Sequence, residues 1–244
     1  MSFGLGGFLY KRYMKETKKN TFEITSFSLK IIAAITMIID HIAMVFLTPD
    51  SLLSNIMRFV GRSAFPIYAF LLIEGYTHTS NKMKYALRLF IFALISEPIY
   101  DLVKEGSALS HQNIFFTLFA GLVLIAAVDK MRNDDVTKIL IVALVVIISG
   151  LAEMLCFGYG CFGILSIISG YYLYTKASKY KYDKSYTAIT IPLIVMNIIE
   201  LGTLLSLPFI HLYQGEQGRR SKWGFYLIYP VHLLILVAIK KFFL

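Results

Sequence analysis

Runs of about twenty predominantly apolar residues recur along this chain, each long enough to cross the hydrocarbon core of a bilayer as a helix. Eight such runs are centred on Ile38, Pro66, Ala93, Val123, Val145, Ser166, Val195 and Ile235. An ordinary soluble domain does not carry such runs: 57% of the 244 residues are hydrophobic and 16% charged, with a mean hydropathy of +0.66. The runs hold Gly, Pro and scattered charges and lack the period-2 alternation of barrel strands, so helices are how the backbone is satisfied in lipid. The expected fold is all-α: a polytopic transmembrane helical bundle of about eight spans. The run from Cys161 to Tyr174 is the shortest, and if it failed to cross, the topology after it would invert.

The formal charge of +9 is arranged as in a positive-inside membrane protein, and no nucleic-acid partner is expected. With eight spans, the basic residues Lys11, Arg12, Lys15, Lys18, Lys19, Lys82, Lys84, Lys130, Arg132, Lys176, Lys179, Lys181, Lys184, Lys240 and Lys241 fall on one side. The other side then holds Lys104, Arg219, Arg220 and Lys222. Both termini are accordingly expected to be cytoplasmic. Residues 1–26 read as a basic cytoplasmic segment beside anionic lipid, and residues 27–244 as a single transmembrane domain. The basic stretch follows the short, Gly-rich start instead of preceding it, so no cleavable signal peptide is expected. No internal repeat is evident, and no metal-ligand spacing either, so no metal is expected. Cys156 and Cys161 flank the turn CFGYGC; a disulfide is conceivable there, with two unpaired thiols the simpler expectation.

Chemistry in such a chain must lie in or at the membrane, and ionisable side chains within spans mark where. Each costs roughly 2.5–3.5 kcal/mol to insert, so it faces a polar interior. Asp40 and His41 lie in the first run, Arg58 and Arg62 four apart near the outer start of the second, and Glu97 and Asp101 four apart at the outer end of the third. His111 and Asn113 open the fourth run, Glu153 closes the fifth, Tyr159 and Gly160 form an outer turn, and Glu200 and His232 lie toward the outer ends of the last two. His41 is the candidate for proton chemistry, because imidazole accepts and returns protons near neutrality. Neighbouring helical residues point about 100° apart, so Glu97 or Glu200 is as able as Asp40 to orient its ring. Glu74 falls at the inner end, apart from this group, where a local partner is expected. Pro66 is expected to kink the second span, and the many Phe and Tyr residues, Tyr171, Tyr174 and Trp223 among them, to form interface belts and packing.

Six stretches, in order, resemble the TraX family, whose namesake is a conjugation-associated inner-membrane protein that acetylates pilin. They are LKIIAAITMIIDHIA from Leu29, RFVGRSAFPIYAFLLIEGY from Arg58, RLFIFALISEPIYD from Arg88, NIFFTLFAG from Asn113, YGCFGIL from Tyr159 and KWGFYLIYPVHLLIL from Lys222. The family is similar to a wider group of membrane-bound acyltransferases marked by a basic residue eleven positions before a histidine in the first span. Lys30 and His41 have that spacing, about 16 Å along a helix.

The resemblance implies a multi-pass bacterial plasma (inner) membrane acyltransferase, with acetyl-CoA or another acyl-CoA as donor. The acceptor it implies is an amino or hydroxyl group of a pilin, peptide or glycan. On that basis His41 is the expected catalytic base, with Asp40 and Glu97 setting its orientation. Arg58, Arg62, Lys30, Asn113, Tyr159 and His232 are expected to bind substrate, Lys30 through CoA phosphates. A small proton-coupled transporter or lipid flippase, and a non-catalytic assembly partner, are the competing classes; the lack of an internal repeat weighs against transport.

Overall fold

The computed structural model describes residues 24–104, 111–131, 134–219 and 223–243. These residues form an all-helical bundle. In chain order the helices are α1 (Ser26–Phe46), α2 (Leu52–Gly61), α3 (Ala64–His78), α4 (Lys82–Lys104), α5 (Ile114–Val128), α6 (Asp135–Met154), α7 (Gly160–Lys176) and α8 (Lys181–Met196). A 3-10 segment (Ile198–Ser206), α9 (Leu207–His211) and α10 (Gly224–Phe243) follow. Polar side chains start several of them: Thr25, Ser51, Asn113 and Asp134 each accept a hydrogen bond from a backbone N–H of the first turn. The second apolar run divides at Arg62–Ser63, three residues before Pro66. Pro66 has no N–H for the carbonyl of Arg62, so the chain breaks one turn ahead of the proline.

Four segments are long and apolar enough to cross a membrane unaided: Ser26–Phe46, Leu52–His78, Asp135–Met154 and Gly224–Phe242. Lipid-facing character is plainest on α6, where Val136, Ile139, Val142 and Val146 are each more than 60% exposed. Between helices in lipid, association rests on close packing more than on expulsion of water, and glycines permit it here. A Cβ at Gly61 would overlap Asp40 of α1, and one at Gly202 would overlap the carbonyl oxygen of Phe59 in α2.

Each of the eight expected span centres falls on a helix, but the chain's path differs from an eight-span count. Among the described residues it traverses the bundle nine times. The run centred on Val195 is two antiparallel pieces: α8 ascends, and the 3-10 segment with α9 returns over about 25 Å. Glu200 lies beside Arg62 at one end, whereas Tyr213, just past α9, bonds Glu74 and Ser26 at the other. Asn197 makes the reversal possible by leaving helical geometry (φ −159°) and capping the 3-10 segment through its side chain.

The added pass separates the two described ends of the chain. α1 and α10 run parallel, with Phe27 against Phe225 and His41 against His232. Residue 24 and residue 243 therefore lie at opposite ends of the bundle, contrary to the expectation of a common side. The stretch after α9 joins the N-terminal end, where Ser26 N donates to Glu216 O at 2.8 Å and Ile24 N to Leu212 O at 3.3 Å. Arg219 moves with it to that end, while Lys240 and Lys241 move to the other. Of the expected basic lead, residues 1–26, the first 23 lie outside the described residues.

Candidate active site

Asp40, His41, Arg58 and Arg62 surround a cavity of about 320 Å³ at the end of the bundle remote from Ser26, a size in the range of small-molecule sites. Its wall includes Met37, Tyr68, Tyr100, Lys104, His111, Tyr159 and Tyr229. α1 supplies Asp40 and His41, and the α2–α3 break turns Arg62 inward. Gly61 lets α2 close onto Asp40, so the sharp approach of the backbones and the position of Arg62 have one origin.

His41 Nδ1 lies 2.6 Å from His232 Nε2, and His232 Nδ1 lies 2.7 Å from the carbonyl oxygen of Ile228. That carbonyl only accepts, so His232 Nδ1 carries a proton and donates it. In the neutral pair His232 Nε2 is then the acceptor, His41 Nδ1–H is the donor, and the free lone pair is on His41 Nε2. Both rings are buried, they are nearly parallel at 4.9 Å between centroids, and Tyr229 meets each edge-on. The result is a fixed imidazole presenting a basic nitrogen on a residue that lines the cavity. None of the carboxylates expected to orient His41 does so; His232 holds that position, because Asp40, one residue away on the helix, points to a different partner.

That partner is Arg62. Its Nη2 donates to Asp40 Oδ1 at 2.5 Å, its Nη1 to Glu200 Oε1 at 3.2 Å and to Tyr159 OH at 3.5 Å, and its Nε to the Arg58 carbonyl at 3.3 Å. One guanidinium thus joins α1, the 3-10 segment and the turn before α7. Glu97 is separate: it accepts from the backbone N–H of Asn113 at 3.0 Å and from the Asn113 side chain, while Asn113 also donates to Ala93 O at 2.8 Å and caps α5. Glu97 and Asn113 therefore position the α4–α5 junction and lie behind the cavity wall.

The turn ahead of α7 closes the cavity. Gln112 N donates to Cys156 O at 2.8 Å, and Thr117 Oγ1 to Gly158 O at 2.5 Å. These bonds hold Cys156 (φ +53°) and Tyr159 (φ +63°) in left-handed conformations that non-glycine residues adopt only where their surroundings enforce them. Tyr159 is thereby stacked on Phe65 at 4.3 Å, with its hydroxyl toward Arg62. Both cysteines are unpaired. Among the described residues no group of three or more His, Cys, Asp or Glu side chains is placed to hold a metal ion.

Of the expected site residues, the structure brings together Asp40, His41, Arg58, Arg62, Tyr159 and His232, and sets Glu97 and Asn113 one layer behind. It does not bring in Lys30, which sits near the opposite end of α1 with Nζ 5.6 Å over the Phe225 ring. Lys104 and His111 also line the cavity; His111 belongs to the outer polar group read from the sequence, where no role was expected of it. Lys104 was legible only as a loop cation, and its place follows from α4 ending at the cavity.

At the N-terminal end a second polar group is structural in form. Glu74 accepts from Tyr174 OH at 2.8 Å and Tyr213 OH at 2.9 Å. Asp129 accepts from Tyr171 OH at 2.6 Å, Tyr76 OH at 2.8 Å and Lys82 Nζ at 2.9 Å. Tyr171 and Tyr174 are therefore buried hydrogen-bond donors and not members of an interface belt, whereas Tyr172 and Trp223 are exposed.

A lipid-exposed helical bundle with a buried histidine pair and a compensated arginine around one cavity defines a multi-pass membrane protein with a polar site. Residues 26–240 match the family model described as TraX protein, and the chain belongs to the TraX family. It is 30% identical, over 90% of its own length and 97% of the other's, to the "Probable fimbrial assembly protein FimC, serogroup H1" of Dichelobacter nodosus. No solved structure matches the chain.

Proposed function

We propose that this protein is a bacterial inner-membrane acyltransferase that moves an acyl group, most economically acetyl from acetyl-CoA, onto an amino or hydroxyl group of a pilin, peptide or glycan. The observation that carries the proposal is the tautomer enforced on His41: Ile228 O fixes His232, His232 fixes His41, and Nε2 is left as a base on the cavity wall. Nε2 takes the proton from the acceptor as its N or O bonds to the thioester carbonyl carbon. The carbonyl oxygen gains negative charge beside Arg62 and Tyr159. Collapse breaks the C–S bond, and the departing CoA sulfur takes the proton back from His41. His232 stabilises the transient imidazolium as its hydrogen-bond acceptor.

The concentration of basic residues at the N-terminal end supports placing that end in the cytoplasm. The cavity end, with the described C-terminal end of α10, is then outward. Lys30, near the N-terminal end of α1, is assigned to the phosphates of a donor arriving from the cytoplasm. The relative's printed name, a fimbrial assembly protein, supports a pilin or another surface-appendage subunit as acceptor. It also favours a second reading, a non-catalytic assembly factor, in which His41 is dispensable.

The test is transfer of label from radiolabelled acetyl-CoA into a membrane or peptide extract by the purified chain in lipid. The wild type is compared with His41→Ala at matched folding. Transfer lost in the variant supports acyl chemistry; label-free product with intact fimbrial assembly in both proteins supports the assembly factor. Proton-dependent substrate flux without modification would support a transporter.

A further inference from the structure

Three cations line the cavity, and among the described residues only Arg62 is ion-paired. Arg62 holds both carboxylates within its reach, Asp40 and Glu200. Arg58, half-buried one turn earlier, and Lys104, from the last turn of α4, have no carboxylate within ion-pair distance among the described residues, although Asp40 lines the same cavity. Lys104 lies over the Tyr100 ring at 6.0 Å, a contact that leaves its charge unopposed. Two like charges brought to one cavity, with no described carboxylate paired to either, raise the energy of the empty site. An anion entering it removes that cost and gains charge-assisted hydrogen bonds.

We propose that Arg58 and Lys104 form a subsite for an anionic group, a phosphate or a carboxylate, carried by the acyl acceptor. This rests on the acyl-transfer reading. Lys104 and His111, both on the cavity wall, are exposed. They lie at the end opposite the basic N-terminal face, where CoA phosphates would arrive. The anion is therefore assigned to the acceptor. An acceptor whose phosphate or carboxylate sits on Arg58 and Lys104 has its nucleophilic N or O directed into the same cavity as His41, so the subsite selects acceptors by charge and holds them for deprotonation.

The experiment measures the thermal midpoint of the full chain in zwitterionic detergent at constant ionic strength, titrated separately with inorganic phosphate, glycerol 3-phosphate, acetate and CoA. Saturable stabilisation of the wild type by phosphate, glycerol 3-phosphate or acetate is expected. The half-saturating concentration should rise about tenfold in Arg58→Gln and in Lys104→Gln. Arg58→Lys, which keeps the charge, should retain binding, and Lys84→Gln, at the far end of α4, should leave it unchanged. No stabilisation of the wild type, or equal stabilisation of the variants, overturns the subsite. Dependence on Arg58 and Lys104 for CoA alone overturns the assignment to the acceptor. Binding needs no turnover, so its failure is distinct from a failure of His41-dependent acyl chemistry.

Discussion

Replacing Arg62 by Met should destabilise the protein more than replacing any other cavity residue. The substitution keeps much of the side chain's volume and removes the charge that faces Asp40 at 2.5 Å and Glu200 at 3.2 Å. Glu200 is 1% exposed, so water does not take over the lost bond. Two charge-assisted hydrogen bonds at about 1.5–3 kcal/mol each agree with the roughly 3–5 kcal/mol seen when one partner of a buried pair is removed. For a chain of this size that is a fall of about 6–20 °C in thermal midpoint. The assay is thermal unfolding in detergent followed by loss of monodisperse protein. Glu200→Gln in the same background removes one stranded charge, and the double variant should recover part of the loss, with a coupling of about 0.5–3 kcal/mol. A midpoint within about 2 °C of wild type for Arg62→Met, or strict additivity in the double variant, would refute the view that this guanidinium ties three elements together.

His232→Ala removes the acceptor that fixes the His41 tautomer, and kcat for acyl transfer is expected to fall by about 10²-fold or more with KM little changed; equal kcat would mean that the ring is held by something else. The connector after α5 gives a pH-dependent contribution. Hydrogen bonds from Tyr171 and Lys82 lower the Asp129 carboxyl to about 2, so its stabilisation is complete above the unfolded carboxylate range near pH 4 and is lost as pH falls toward 2. Asp129→Asn should therefore flatten the decline in thermal midpoint between about pH 4 and pH 2. Parallel α1 and α10 place Lys84→Cys and Lys241→Cys at opposite ends, so in a Cys156→Ser, Cys161→Ser background, which removes the two free thiols, a membrane-impermeant maleimide applied to intact cells should label only Lys241→Cys. Labelling of both, or of neither while lysed cells label both, would restore a common side.

The helical class and the positions of the main elements are legible because apolar runs of bilayer length admit few other solutions. The path through the bundle is not. Ile198 to His211 continues an apolar run that began in α8, and a hydropathy window does not register the reversal made by one residue, Asn197. That single reversal moves the C-terminal end and turns the loop after α9 to the opposite face. The site was legible as a list of residues at one depth: Asp40, His41, Arg58, Arg62, Glu200 and His232. Their pairing was not, since it depends on which way each ring or carboxylate points. Adjacent residues Asp40 and His41 end in unrelated networks, and the partner of His41 comes from 191 positions further on. Gly61 and Gly202, which set those distances, look in sequence like any other glycine in a membrane helix.

The central claim is that His41 Nε2 is the base for acyl transfer, and chemical rescue tests it most directly. CoA release from acetyl-CoA, in the presence of a membrane extract as acceptor, would be followed for wild type, His41→Ala, and His41→Ala with added imidazole. The expected result is loss of release in the variant by about 10²–10⁴-fold and saturable partial recovery with imidazole in the space the side chain vacates. Undiminished CoA release by a folded His41→Ala protein would contradict the account.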